Sequence, residues 1–223
     1  MPRKKLLCLA VSRKMRGTCI AGIDAETRTW LRPVNAGGAE LYENDIRYQR
    51  RGDLPKLLDV IEIAVTQPEP LYYQPENWVI DRTFPWRKTY NLLEGQRTDR
   101  RKVLDGLLSD QEYVLGNASD RLTPEECRNL KSSIMLIKVA TATFEVTLSV
   151  RHSLQVRAHF TYQGNEYNLV VTDIAWENVI RTNALGRYQY DTPFYLTIGL
   201  GQKLPALNAH FKLVAGVIPV SIL

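Results

Sequence analysis

The sequence predicts a mainly β protein that contains two small Greek-key barrels in tandem, with short helices. Two observations support this prediction: apolar and polar residues alternate along many segments, and most of these segments are joined by short turns. The 223 residues, 44% of them hydrophobic, are enough for two small domains with buried cores. We place the domains at residues 1–130 and 131–223.

The first half begins with a predicted three-stranded meander over residues 5–12, 18–24 and 29–33. In the third strand, Trp30 and Arg32 share a face, and the residue between them points to the other face. If that residue enters the core, an indole and a guanidinium lie together outside. The alternative is that Trp30 is a core residue.

The rest of the first half is less regular. Residues 35–56 are rich in charge and loop-like, and residues 57–65 predict an apolar strand. Prolines favour an extended or turned segment over residues 67–74. Helices are predicted over residues 98–108 and from Pro124 onward.

The second half is predicted to consist of strands around one helix. Period-two alternation with one apolar face indicates half-buried antiparallel strands. The helix is expected over residues 175–185 and ends before Gly186. The strand candidates are residues 144–150, 154–162, 167–171, 194–200 and 211–217.

All the excess positive charge lies in the first quarter of the chain. Residues 1–60 contain twelve Lys or Arg against seven Asp or Glu, and the remaining residues contain 17 of each sign. A one-sided basic region indicates a polyanion partner such as a nucleic acid. The alternative is a solvated surface that keeps the protein soluble. The candidate nucleic-acid-binding residues are Arg13, Lys14, Arg16, Trp30, Arg32, Arg47, Tyr48, Arg50 and Arg51.

A second candidate site lies within residues 72–77, where proline restricts a polar segment. Its amide side chains pair a donor with an acceptor and could contact a base edge or a small anionic ligand such as a nucleotide. The alternative is a structural linker across one end of a barrel. The candidate ligand-binding residues are Tyr73, Gln74, Glu76 and Asn77.

Catalytic signals are weak. Asp173 and Glu177 could act as a carboxylate pair at a helix start, in nucleic-acid cleavage with a metal ion, but we favour helix capping by Asp173 and an exposed Glu177. Cys8 and Cys19 are predicted to be buried free thiols. We find no nucleophile–base pair, phosphate loop or metal-ligand spacing, so we predict no catalytic residue, cofactor or metal. No apolar run is long enough for a membrane span, and we expect a cytoplasmic protein.

Seven motifs in order carry a resemblance to a known family. They are CLAVSRK at 8–14, GTCIAGID at 17–24, WLRPV at 30–34, LDV at 58–60, YQPEN at 73–77, YNLVVTD at 167–173 and FKLVAG at 211–216. The set resembles the prokaryotic dual-OB-containing domain family, whose members carry two OB folds in one chain. The resemblance implies nucleic-acid or nucleotide recognition in bacterial defence or stress loci, and no established catalytic residues.

We therefore expect two tandem OB-like Greek-key β-barrels with short helices. The predicted function is binding of single-stranded DNA or RNA, with a sensor of a small anionic ligand such as a nucleotide as the alternative. A protein partner encoded by a neighbouring gene is a further expectation, and a membrane partner is not expected.

Overall fold

The computed structural model describes residues 2–49, 52–94, 97–150 and 152–223. Contacts between residues divide the chain into two compact units, Met1–Arg100 and Arg101–Leu223. The sequence prediction placed the boundary later, between residues 130 and 131. Helix α2 (Arg97–Asp105) spans the division that the contacts show.

In the described part of the chain, the N-terminal unit contains six strands, and helix α1 (Glu43–Ile46) lies between the third and the fourth. The strands are β1 (Arg3–Lys14), β2 (Gly17–Asp24), β3 (Trp30–Val34), β4 (Asp59–Pro68), β5 (Asn77–Ile80) and β6 (Arg87–Asn91). Five of them close into a barrel in the order β1-β2-β3-β5-β4, because β4 also pairs with β1. Strands β3 and β5 are parallel, and β6 pairs with β4 outside the ring. This closed five-stranded order confirms the predicted fold class.

Apolar side chains at alternate positions fill this barrel. Leu6 and Cys8 on β1, Ile20 on β2, Leu31 on β3 and Ile61 on β4 are all buried in one cluster. Because successive strand residues point to opposite faces, the neighbours of these residues point away from the core. The position of Leu31 therefore places Arg32 on the outer side of the barrel wall.

The C-terminal unit repeats the same order. Its strands are β7 (Arg121–Leu122), β8 (Ile134–Val139), β9 (Ala142–Leu148), β10 (Leu154–Tyr162), β11 (Asn165–Val171), β12 (Gly186–Tyr190), β13 (Phe194–Leu204) and β14 (Ala209–Pro219). The sheet runs β12-β9-β10-β11-β14-β13-β8, with β7 on β14. Two residues separate β8 from β9. If these two are counted as one bent strand, the order matches that of the first barrel, and the parallel pair is β11 with β14.

Residues between the predicted and the observed boundary pack on the C-terminal unit. Leu122 on β7 pairs with His210 on β14. The hydroxyl of Tyr167 donates to the carbonyl oxygen of Asn117 at 3.2 Å and accepts from the backbone N–H of Val114 at 3.1 Å. These contacts are the physical reason that the division lies near residue 100.

The helices of the C-terminal unit are short. Helix α3 (Pro124–Arg128) begins at Pro124 as predicted, whereas helix α4 (Ile174–Ile180) ends before the predicted residue 185. Thr182 Oγ1 donates to the Val179 carbonyl at 2.7 Å and Asn183 Nδ2 to the Ile180 carbonyl at 3.1 Å, which satisfies the last turn early. Among the described helices, none combines the length and the apolar character needed to cross a membrane.

Candidate nucleic-acid interface

Arg32 is buried under the loop that joins β4 to β5, residues 69–76. Its Nε and Nη2 atoms each lie 3.0 Å from Oε1 of Glu76, and Nη1 donates to Sγ of Cys19 at 3.3 Å. Arg32 is 4% exposed, so it is not the open guanidinium that the strand alternation predicted. The difference arises because Glu76, distant in sequence, folds over it. Cys19, predicted to be buried, is half-buried.

The ion pair makes Arg32 part of a fixed structure. Burial lowers the pKa of Arg32, but Cys19 and the Glu76 carboxylate outweigh this effect, so the pKa is raised overall. Separating the two side chains of a buried ion pair would leave each charge without water or a counter-ion. Arg32 and Glu76 therefore keep this one arrangement. The pair therefore anchors the β4–β5 loop to β3.

Lys14 connects the β1–β2 hairpin to the same region. Its Nζ donates to the carbonyl oxygen of Gly38 at 2.8 Å. Burial lowers the pKa of Lys14; Cys19 and Glu40 oppose this effect, and the Arg32 cation adds to it. Lys14 and Arg32 are therefore close enough for their charges to interact.

The backbone conformation and the limited space at position 38 both favour a glycine. Its φ is +69°, and a Cβ at this position would lie 2.7 Å from Cδ1 of Leu71 in the β4–β5 loop. Its N–H also donates to Oε2 of Glu69 at 3.0 Å. Gly38 thus contacts both the hairpin, through Lys14, and the β4–β5 loop.

The tip of the β1–β2 hairpin exposes positive charge. Lys14 pairs with Gly17, so Met15 and Arg16 form the turn, in which Met15 has φ +51° and is 75% exposed. Arg13 and Arg16 are both exposed. Their guanidinium groups are accessible to a phosphate backbone.

The β4–β5 loop presents two tyrosines. Leu71 and Gln74 exchange backbone hydrogen bonds of 3.1 and 3.0 Å, which closes a turn with Tyr72 and Tyr73 at its tip. Their ring centroids lie 5.1 Å apart, edge to face. Tyr72 is exposed and Tyr73 half-buried, and burial raises the pKa of Tyr73 although Arg32 opposes it. The loop therefore offers an aromatic surface beside Arg32.

Asn77 is a buried polar residue that lacks a partner. The parallel pairing of β3 with β5 places it opposite Arg32. Asn77 is 0% exposed, and neither Oδ1 nor Nδ2 has a hydrogen-bond partner among the described residues. Gln74 is also buried. Because nearly all buried polar groups are paired, the amide of Asn77 is an exception among the buried polar groups of this barrel.

The two predicted sites are therefore brought together by the structure. Lys14 and Arg32 from the first set and Tyr73, Glu76 and Asn77 from the second surround one place on the N-terminal barrel. We call this set, with Arg13, Arg16, Tyr72 and Gln74, the candidate interface.

Three of the predicted nucleic-acid-binding residues are not part of the candidate interface. Trp30 is half-buried at the start of β3, opposite Ile23. Tyr48 is only 7% exposed and belongs to the core, where its hydroxyl donates to Asp59 at 3.0 Å, so the prediction that Tyr48 stacks on bases is corrected. Arg47 is exposed but forms an ion pair of 2.9 Å with Glu43. Arg50 and Arg51 lie outside the described residues.

The carboxylate pair of the C-terminal unit serves the fold. Asp173 Oδ1 accepts from the Trp176 N–H at 3.0 Å and Oδ2 from the Val217 N–H at 2.8 Å, and burial raises the pKa of Asp173 to about 6. Glu177 forms a 2.7 Å ion pair with Arg181. In the described ranges, no group of three or more His, Cys, Asp or Glu side chains could hold a metal ion.

Comparison with known proteins agrees with this architecture. The model of the dual OB-containing domain family matches residues 4–217, nearly the whole chain. The chain belongs to this family. No curated protein and no solved structure gives a significant match. Membership in the dual OB-containing domain family accounts for the repeated strand order of the two barrels.

Proposed function

We propose that the N-terminal barrel binds single-stranded nucleic acid at the candidate interface. The observation that carries the proposal is the meeting of a cationic hairpin and a tyrosine-bearing loop beside Arg32. OB folds bind oligonucleotides between the corresponding loops, through aromatic stacking and cationic contacts.

The side chains of the interface take different roles in this proposal. Arg13 and Arg16, which are exposed, contact phosphates, and Tyr72 with Tyr73 stacks on bases. Arg32 is neutralised by Glu76, so it positions the loop and is not the main phosphate contact. Trp30 and Arg47 remain predicted contacts on the same barrel.

A salt titration tests the proposal. Fluorescence anisotropy measures binding of labelled single-stranded DNA, single-stranded RNA and a duplex over a series of salt concentrations. We expect single strands to bind most tightly and the affinity to fall as salt rises, since phosphate contacts release counter-ions. Absence of binding at low salt, or an affinity that salt leaves unchanged, contradicts the proposal.

A matched pair of double variants locates the site. Arg13→Ala with Arg16→Ala is expected to weaken binding and to reduce the slope of log K against log salt by about 1.4, the value for two lost single-strand phosphate contacts. Arg128→Ala with Lys131→Ala removes two exposed cations from the C-terminal unit and leaves the slope unchanged. Equal effects of both variants would place the contacts elsewhere.

The buried amide of Asn77 favours a second candidate, a sensor of a small anionic ligand such as a nucleotide. Such a ligand would reach Asn77 and Gln74 with its base only after the β4–β5 loop moves, since both side chains are buried, and it would bind the hairpin cations with its phosphate. A thermal-shift comparison separates the two functions, because a ligand stabilises the state that binds it. Stabilisation by a mononucleotide and not by oligonucleotides favours the sensor.

We infer the cellular setting from the family resemblance. The protein acts in the cytoplasm of a prokaryote, within a defence or stress system, and the C-terminal barrel contacts a protein encoded nearby. Co-purification of neighbouring gene products with the tagged chain, lost when the hairpin between β9 and β10 is altered, is the test.

A further inference from the structure

Strand β12 leaves one edge of the C-terminal sheet unpaired. It lies at the end of the sheet order and pairs antiparallel with β9, and no other described strand pairs with it. Alternate N–H and C=O groups of an edge strand point away from the sheet, where they can pair with the backbone of another strand. The free edge of β12 is therefore a surface that recognises an extended chain.

The two faces of β12 differ in character. The pairing with β9 places Tyr188 and Tyr190 on the side of the barrel core, where the ring centroid of Tyr190 lies 5.7 Å from that of Phe144. Arg187 and Gln189 point to the outer face and are exposed. The tyrosines hold the strand on the barrel, and the outer face is accessible to another molecule.

A cation and an anion flank Gln189 on this outer face. The side chain of Arg187 is 66% exposed, although its Nε lies 3.4 Å from Oε1 of Glu145. Asp191 directly follows the strand and is exposed, and its Oδ1 accepts from Nε2 of Gln189 at 2.6 Å. The guanidinium and the carboxylate therefore belong to residues placed symmetrically, one on each side of Gln189.

The segment 187–191, Arg-Tyr-Gln-Tyr-Asp, is complementary to a second copy of itself that runs in the opposite direction. When two copies pair antiparallel with Gln189 opposite Gln189, each Arg187 lies opposite Asp191 of the second copy. Each Tyr188 then lies opposite a Tyr190. Opposite charges and aromatic pairs on facing strands are both stabilising, and the two-fold symmetry makes every such contact twice.

Strand β6, at the edge of the N-terminal sheet, lacks this property. The same antiparallel pairing about its central residue would place Arg87 opposite Asn91 and Lys88 opposite Tyr90. No carboxylate of that strand would then lie opposite a cation. A free edge alone therefore does not favour pairing with a second copy, whereas the order of side chains along β12 does.

We propose that two copies of the chain form a symmetric dimer in which the free edges of β12 pair antiparallel about Gln189 and join the two C-terminal sheets. Because the paired segment is short, the dimer is weak and depends on concentration. Residues 187–191 do not belong to the candidate interface, so the dimer does not depend on the function proposed there.

Sedimentation velocity of the full chain, over a concentration series up to the millimolar range, tests the proposal. We expect a reversible equilibrium between monomer and dimer in the unmodified chain. Asp191→Arg places two cations opposite each other at both ends of the paired strands and is expected to weaken the dimer about tenfold. Asp110→Arg makes a matched charge reversal at an exposed position outside β12 and leaves the dimer unchanged. An unmodified chain that stays monomeric, or equal dimerisation of the two variants, overturns the proposal.

A mixing experiment tests which charges face each other. Arg187→Asp alone sets two carboxylates opposite each other and is expected to weaken the dimer in the same way. Mixed with Asp191→Arg, it restores opposite charges at both ends of the paired strands. We therefore expect a heterodimer in the mixture that is tighter than the homodimer of either variant. Two folded variants that form no such heterodimer contradict the proposed register.

A cross-link tests the register without changing either charge, and so decides the proposal if Arg187→Asp does not fold. Directly opposite Cα atoms of an antiparallel pair lie about 4.5–5.5 Å apart, which a disulfide spans. Since residue 189 lies on the two-fold axis, we expect Gln189→Cys to give a disulfide-linked dimer on non-reducing gels after oxidation with copper phenanthroline. Thr192→Cys is the control, because this exposed position lies far from its equivalent in the second copy. No cross-link at position 189, or equal cross-linking at both positions, overturns the proposal.

Discussion

The two barrels share a strand order but use its parallel junction differently. In the N-terminal barrel, the register places Arg32 opposite Asn77, two polar residues that are both buried. In the C-terminal barrel, the same junction places Val170 opposite Leu213. The same strand pairing is therefore compatible with either a polar site or an apolar wall. The few side chains at the junction determine which of the two forms.

The hairpins that connect the first two strands differ in the same way. Among the described residues, the β1–β2 hairpin exposes Arg13 and Arg16, whereas the β9–β10 hairpin exposes aliphatic side chains, with Leu148 and Leu154 exposed and Val150 98% exposed. Arg151 of the β9–β10 hairpin lies outside the described residues. The strand predicted over residues 144–150 ends at Leu148. The exposed Arg13 and Arg16 are the reason that the proposal places phosphate contacts on the N-terminal barrel.

The largest effect is expected from breaking the polar junction. Arg32→Ala leaves Glu76 buried without its partner, and we expect the free energy of unfolding to fall by about 3–5 kcal/mol in urea denaturation. The double variant Arg32→Leu with Glu76→Leu removes both charges and is expected to recover most of this loss. A cost below about 1 kcal/mol for Arg32→Ala would show that the pair does not anchor the loop.

The buried cation of the C-terminal barrel has a different signature. Lys212 Nζ donates to the carbonyl oxygen and Oδ1 of Asn117, both at 2.7 Å, and burial lowers the pKa of Lys212 from its ordinary 10.5 to about 8. Between these two pH values the unfolded chain binds more protons than the folded chain, so stability rises with pH. Relative to Lys212→Met, we expect the unmodified chain to gain about 2–3 kcal/mol from pH 7.5 to 10.5.

The exposed Lys203 provides the control for this measurement. Lys203→Met makes the same chemical change at an exposed position and is measured over the same alkaline pH range. The free energy of unfolding of Lys212→Met and that of the unmodified chain could instead change with pH in the same way over the alkaline range. In that case the buried charge of Lys212 does not lower the stability.

The loops between the last two strands of each barrel give a third contrast. Tyr72 is exposed on the β4–β5 loop and Leu207 on the β13–β14 loop. Since one stacked base contributes about 1–3 kcal/mol, Tyr72→Ala is expected to weaken oligonucleotide binding about tenfold in anisotropy. Leu207→Ala should have no effect, and an equal loss in both variants would refute the assignment to one barrel.

Strand positions were predictable because period-two alternation reports which side chains face a core. The meander, the strands around β10 and the start of α3 all follow from such local signals. Strand β6, in contrast, is exposed at nearly every position and so shows no alternation. The two-residue strand β7 is too short to give a pattern, so the sequence does not show that this segment pairs with β14.

The candidate site was only partly predictable for a related reason. Alternation placed Arg32 on the outer face of the barrel. The side chain that forms an ion pair with it there, Glu76, lies 44 residues away along the chain. Tyr48 sits in a charged segment, and its burial depends on a hydrogen bond to Asp59 that no local pattern shows. The hydrogen bond between Arg32 and Cys19 was not predicted either, because no local sequence pattern reports this contact.

The smallest expected effect comes from the strain of the hairpin turns. Met15 at the β1–β2 turn and Gln163 at the β10–β11 turn both have positive φ, +51° and +48°. Asparagine tolerates this conformation, so Met15→Asn and Gln163→Asn are each expected to raise the free energy of unfolding by about 1 kcal/mol or less. Met15→Ala keeps the unfavourable φ and gives no such gain.

Oligonucleotide affinity decides what the strain at Met15 means. Because Met15→Asn leaves Arg13, Lys14 and Arg16 in place, we expect unchanged affinity, and the turn strain is then a general property of both hairpins. A stability gain accompanied by weaker binding would instead show that the exposed Met15 side chain touches the bound strand. In that case the positive φ of Met15 serves contact with the bound strand, whereas that of Gln163 at the β10–β11 turn does not.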